Sequence, residues 1–138
     1  IDRLRQIFRD SLMFCVAYTM VAWALLSSSA SWMIGVFGLG PEGAAVYRAF
    51  ALIGSGGFVL VGALFVSNAT FNSLGKPMRS TLCNWTRDGL LILPAAWLGA
   101  TWFAAPGVVY AQALAGGLAG ILAALWSWYF LKGLGARP

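Results

Sequence analysis

Apolar residues run along this chain in four long blocks, and polar residues collect between them. The blocks extend from about Ser11 to Met33, Ala45 to Val66, Thr81 to Phe103 and Val108 to Leu131. Each is near or above the ~20 residues that a helix needs to cross ~30 Å of hydrocarbon at 1.5 Å per residue. The pattern predicts an all-α membrane protein with four transmembrane helices.

The separators are short and suited to turns. Pro41 and Glu42 fit the first turn of a new helix, by fixed φ and by negative charge at the positive end of the dipole, so the second helix is expected to start ahead of its apolar block. Gly75 and Pro77 break the chain between the second and third helices, with Lys76 and Arg79 near the carbonyl end. Ala105-Pro106-Gly107 reads as a tight third turn. At the start, Leu4, Ile7 and Phe8 share a helical face, so the first ten residues either lie along the membrane interface or form the solvated start of the first helix.

Composition agrees with a lipid solvent. Of 138 residues 60% are hydrophobic and only 9% charged, against roughly a quarter charged in ordinary soluble chains. A body this small leaves about a third of its unfolded-chain surface exposed and has no room to hide so much apolar area from water. The net charge of +5 does not point to nucleic acid, because the nine basic residues are spread along the chain rather than gathered on one face. They sort instead by side. Arg3, Arg5, Arg9, Lys76, Arg79, Arg87, Lys132 and Arg137 fall on one side of the predicted bundle, and Arg48 alone on the other. The positive-inside bias then places both ends and the Lys76 loop in the cytoplasm. A cleaved signal peptide fits the first block poorly, since it is long and runs into Trp32 and Met33. The chain opens on isoleucine, which reads as a piece of something longer.

Candidate chemistry is sparse. There is no histidine, which excludes histidine metal sites and His-based triads, and no metal site is expected. Cys15 and Cys83 sit in apolar runs and read as quiet buried thiols. Without paired carboxylates nothing here runs acid–base chemistry, so no enzyme is expected.

An ionisable side chain inside a span costs at least ~2.5 to 3.5 kcal/mol at the helix centre on insertion scales, which makes each one a functional candidate. Beyond the first turn of a block, only Arg87 and Asp88 qualify, Arg48 standing at the edge of its block. Neighbours on a helix point about 100° apart, so they are not expected simply to pair with each other. The plain reading has Arg87 snorkelling to headgroups and Asp88 favoured by the helix start. Asn84 and Asp88 share a face at i and i+4 below Thr81, and Asn68 and Asn72 do so at the end of the second helix. Across the Gly75 turn these groups can form a hydrogen-bonded gate or act as interhelical glue. Ser27, Ser28, Ser29 and Ser31 are expected to bond carbonyls of their own helix. Pro94 removes a mid-helix hydrogen bond and should bend the third helix. Gly116 and Gly120 form a GxxxG step, and Gly54, Gly57 and Gly62 thin the second helix for close approach. Trp32, Tyr47, Trp85, Trp102, Trp128 and Tyr129 suit interfacial belts.

Beyond these single residues, the run Ser67-Asn68-Ala69-Thr70-Phe71-Asn72-Ser73-Leu74-Gly75-Lys76-Pro77, then Ser80-Thr81, Asn84-Trp85-Thr86-Arg87 and Pro94, resembles the multidrug and toxic compound extrusion (MATE) family. The stretch from Val36 to Glu42 with Tyr47 is similar to an outer loop of the same family. The resemblance covers nearly the whole chain as helices nine to twelve of a twelve-helix, two-lobed transporter. It implies export of organic cations and amphipathic drugs in exchange for H⁺ or Na⁺, by two lobes rocking around a central cavity. The implied partners are drug-like small molecules, the lipid bilayer, and the preceding helices and N-terminal lobe of the same protein. The implied location is a bacterial inner membrane. No cofactor is implied beyond the coupling ion.

One departure bears on coupling. One branch of the family uses acids in the tenth helix, whereas Ala45 to Val66 contains no Asp or Glu. The coupling site is therefore expected outside this chain, in the N-lobe, with Asp88 as the alternative. A lipid or polysaccharide flippase of the same superfamily and a non-transporting scaffold subunit are the competing readings. A complete four-helix pump is disfavoured, because the first block lacks a carboxylate.

Overall fold

The computed structural model describes residues 2–134, and among these there is no strand. The first helix, α1, is Asp2–Val36. The second, α2, is Pro41–Ser73, α-helical over Pro41–Ala49 and Ser55–Ser73 with a π-helical turn at Phe50–Gly54 between them. The third, α3 (residues 77–103), is α-helical over Pro77–Trp85, π-helical over Thr86–Ile92, and α-helical again from Leu93. The helical stretch Leu93–Leu134 is broken at Ala104, whose φ of 53° and ψ of −141° reverse the chain. Residues 105–134 form α4. Phe103 and Tyr110 meet edge to face at 6.1 Å, and Gly99 touches Gly107, so α3 and α4 form an antiparallel hairpin.

The turn chemistry explains where the first two helices stop. Gly38 (φ +58°) follows α1, with Leu39 N–H bonded to Ile34 O at 3.2 Å and Gly38 N–H to Gly35 O at 3.2 Å. Gly75 (φ +67°) repeats the arrangement after α2, with Lys76 N–H on Phe71 O at 2.8 Å and Gly75 N–H on Asn72 O at 3.0 Å. Both are the paired six-to-one and five-to-two bonds of a glycine-terminated helix, and both need the left-handed conformation that only glycine adopts cheaply. Prolines 41 and 77 then open the next helices at a position where the missing N–H costs nothing.

The third turn differs from the sequence expectation. Its reversal falls on Ala104, a non-glycine held at positive φ, one residue ahead of the expected Ala105-Pro106-Gly107. Gly107 is buried and faces the Gly99 carbonyl, where a Cβ would collide with backbone. The glycine serves the close approach of the two limbs, and the alanine absorbs the strain.

Packing is inside out relative to a soluble bundle. The buried positions of α4 are Ala111, Ala115, Gly116, Ala119, Gly120, Ala123 and other small residues, together with Leu131. Large apolar side chains project outward: Phe14 is 73% exposed, Trp97 69% and Leu114 69%. Water would penalise such a surface at ~25 cal/mol per Å², whereas hydrocarbon tails do not. Helices α2 and α4 run parallel and interlock most closely, Gly57 against Ala113, Gly116 against Val61 and Gly120 against the Leu60 carbonyl. Helix α1 runs antiparallel to α2, with Cys15 seated on Gly62 and Trp23 on Gly56.

These contacts fix a common end for the basic residues. The start of α1, the end of α2, the start of α3 and the end of α4 lie together, as the Phe8–Trp128 pair (6.5 Å) and the Phe71–Phe130 pair (5.8 Å) show. That end carries Arg3, Arg5, Arg9, Lys76, Arg79 and Lys132, while Glu42 and Arg48 occupy the opposite one. Arg137 lies outside the described residues.

Candidate functional site

Asn68 and Asn84 meet. Asn68 stands about one and a half turns before the end of α2, is 9% exposed, and donates from Nδ2 to Asn84 Oδ1 at 3.0 Å. The Schellman turn at Gly75 and the immediate restart at Pro77 fold α3 back against α2 and bring the two amides into register. Asn68 Oδ1 is buried and has no partner among the described residues. A buried carbonyl without a donor costs about 1 to 3 kcal/mol, so this amide is a point where the bundle spends stability on polarity. Asn84 opens outward into a hollow of about 390 Å³ that it lines with Trp85, Asp88, Gly89 and Leu93.

Asn72 is not brought to this pair. It is exposed on the last turn of α2, and its backbone carbonyl closes the Gly75 turn. The nearby hydroxyls are turned inward on their own helices: Ser67 bonds Ala63 O at 2.7 Å, Thr70 bonds Val66 O at 2.8 Å and Thr81 bonds Pro77 O at 3.2 Å.

Arg87 and Asp88 do pair, which corrects the expectation from regular helical geometry. Arg87 Nε donates to Asp88 Oδ1 at 2.7 Å and an Arg87 terminal nitrogen donates to Oδ2 at 3.2 Å. An arginine is long enough to fold back toward its neighbour even on a regular helix, as Arg9 does toward Asp10 at 3.5 Å, and the π-helical stretch Thr86–Ile92 brings adjacent side chains closer still in direction. A two-pronged guanidinium–carboxylate bond offsets much of the cost of placing either charge in a span. The side chains remain 23% and 56% exposed. Pro94 stands just past the widened turn, as the second residue of the resumed α-helix. It has no N–H for the Leu90 carbonyl four residues back, so the irregular stretch ends where an α-helical bond is missing.

A second polar cluster was not expected from sequence. The π-helical turn Phe50–Gly54 frees carbonyls on α2, and α1 supplies donors for them. Trp23 Nε1 bonds Leu52 O at 3.0 Å and Ser27 bonds Ala51 O at 2.8 Å, with Ser55 also on Ala51 O at 2.6 Å. Ser28 and Ser29 bond carbonyls of their own helix as expected, but Ser27 reaches across. No sequence signal marks a π-turn, so no sequence argument could have assigned Ser27 a partner on α2.

Fold and surface together define a bundle of four membrane-crossing helices with an amide-paired, ion-paired polar patch on α2 and α3 at its basic half. The shape has a counterpart among solved structures. A crystal structure of the Vibrio cholerae MATE transporter VcmN in the bent form superimposes with a TM-score of 0.83 over 94% of this chain, at 19% identity. This chain corresponds to 30% of that one, so it has the fold of a part of a MATE transporter. No protein-family profile matches the sequence. Nor does any curated protein match it.

Proposed function

We propose that this chain is a four-helix section of the C-terminal lobe of a secondary active efflux transporter in a bacterial inner membrane. It would export organic cations and amphipathic drugs in exchange for H⁺ or Na⁺. The observation that carries this reading is the match of nearly the whole chain to a part of the VcmN fold. The close glycine-to-backbone packing of α2 on α4 supports it further, since a lobe that rocks as a unit needs helices that do not slide.

In this reading Asn68 and Asn84 tie α2 to α3 at the basic end, and Arg87 and Asp88 neutralise each other beside the hollow next to Asn84. Coupling belongs elsewhere in the protein, because α2 carries no acid beyond Glu42 at its outer start and Asp88 is already engaged by Arg87. The test is counterflow of an ethidium-like dye against an imposed proton or sodium gradient in proteoliposomes of the full-length protein. Gradient-dependent dye movement supports the reading. Absence of movement under either gradient, with protein that is folded and inserted, overturns it in favour of a scaffold.

A further inference from the structure

At the basic end, the turn between α2 and α3 and the last turns of α4 enclose an open hollow of about 460 Å³. Its walls include Lys76, Arg79, Trp126, Tyr129 and Phe130. Arg79 enters from α3 and lays its guanidinium on the Phe130 ring, 4.0 Å from the centroid, with Trp126 at 5.5 Å and Phe71 at 5.8 Å. The rings fix the plane of the cation without using its N–H donors. Among the described residues neither Lys76 nor Arg79 takes part in an ion pair, and none of the chain's four acids, Asp2, Asp10, Glu42 and Asp88, lines the hollow.

From this we infer that the Lys76–Arg79 hollow holds the headgroup of an anionic phospholipid from the leaflet at the basic end of the bundle. Three features select that occupant. Two cations without a counter-charge, one of them a pre-oriented fork, match a phosphodiester. Tyr129, 67% exposed, adds a hydroxyl at the depth where tyrosine and tryptophan settle in a bilayer. The outer face of α4 continues away from the hollow through Leu125 (49% exposed) and Leu122 (56% exposed), an apolar track for the acyl chains. Basic pockets of this kind between helices take acidic headgroups, and free anions lack the chains that would use the track. The inference rests on the chain lying in a membrane and not on any transport activity.

Native mass spectrometry of the intact, full-length protein released from detergent tests it, with phosphatidylglycerol as probe and phosphatidylethanolamine of the same chains as comparison. Phosphatidylglycerol should be retained stoichiometrically in preference to phosphatidylethanolamine, with about a tenfold or greater loss of that preference in Lys76→Gln/Arg79→Gln. Lys76→Arg, which keeps the charge and leaves the Arg79 fork intact, should retain it, and so should Arg9→Gln, which alters a basic residue outside the hollow. A photoactivatable phosphatidylglycerol on the unaltered protein should label residues 126–134, a readout that survives if the double variant misfolds. Equal retention of both lipids, labelling spread over other segments, or displacement of phosphatidylglycerol by millimolar inorganic phosphate alone would overturn the assignment.

Discussion

Replacing Gly120 by alanine should loosen the α2–α4 seam more than the same change at any other glycine that faces it. A Cβ there would land on the carbonyl oxygen of Leu60, with the carbonyl carbon only 2.7 Å away. Carbon atoms settle at ~3.5 to 4.0 Å, so α4 must withdraw from α2 by about 1 Å, and each contact along the seam then forfeits about a quarter to a half of its dispersion energy. Backbone cannot rotate out of the way as a side chain can. Overpacking of this kind costs ~1 to 3 kcal/mol, and Gly120→Ala should fall at about 3 kcal/mol. The neighbours grade the effect. Gly116→Ala meets the stiff Val61 side chain at 2.7 Å and should cost about 1 to 2 kcal/mol. Gly117→Ala meets the flexible tip of Leu60 at 3.0 Å and should cost less than about 1 kcal/mol. Gly35→Ala has nothing within 4 Å and should be neutral or gain up to about 1 kcal/mol in helix propensity. Equilibrium unfolding of the full-length protein in mixed micelles, followed by tryptophan fluorescence, gives the ranking. If Gly120→Ala unfolds with Gly35→Ala rather than well before it, the parallel α2–α4 seam is not packed as described.

Other consequences are independent of that seam. A double-mutant cycle on Asn68→Ala and Asn84→Ala, read by the same unfolding assay, should return a coupling of about 0.6 to 1.7 kcal/mol, the range for hydrogen bonds between membrane helices; zero coupling would mean the amides do not meet. Ser27→Ala should destabilise by about 0.5 to 1 kcal/mol, the loss of one hydrogen bond between helices with Ser55 still on the Ala51 carbonyl, and Ser28→Ala, whose hydroxyl bonds its own helix, by less. Asp88→Asn should leave gradient-driven dye transport unchanged in proteoliposomes, since Arg87 already holds the carboxylate; loss of transport would move the coupling group into this chain.

The parts of this structure legible in sequence are those set by solvent and by turn chemistry. Apolar block length marked the crossings, and Gly75 with Pro77 marked a helix end and restart, because few residues accept the required backbone conformation. The i, i+4 spacings paired Asn68 with Asn72 and Asn84 with Asp88, and of these four groups it is the Asn68 and Asn84 amides that meet across the turn. What was hidden depends on departures from regular helix. A π-turn inserts a residue without changing composition, so the widened stretches at Phe50–Gly54 and Thr86–Ile92 leave no trace in hydropathy. Both altered the site, one by freeing carbonyls for Trp23 and Ser27, the other by letting Arg87 clasp Asp88. The Arg79 nest was equally invisible, because its aromatic partners lie on α4, some fifty residues away in sequence, and on α2. The third turn, read at Ala105-Pro106-Gly107, reverses at the adjoining Ala104, and Gly107 is used for packing instead.

Four helices that cross a bilayer with their basic ends together must expose alternate connections on opposite faces. Single cysteines placed by Glu42→Cys, Ser73→Cys and Ala105→Cys, in full-length protein whose native cysteines have been replaced, test it in oriented membrane vesicles with a membrane-impermeant thiol reagent. Ser73→Cys should react from one face only, and Glu42→Cys and Ala105→Cys from the opposite face only. Reaction of Ser73→Cys and Glu42→Cys from the same face would contradict it.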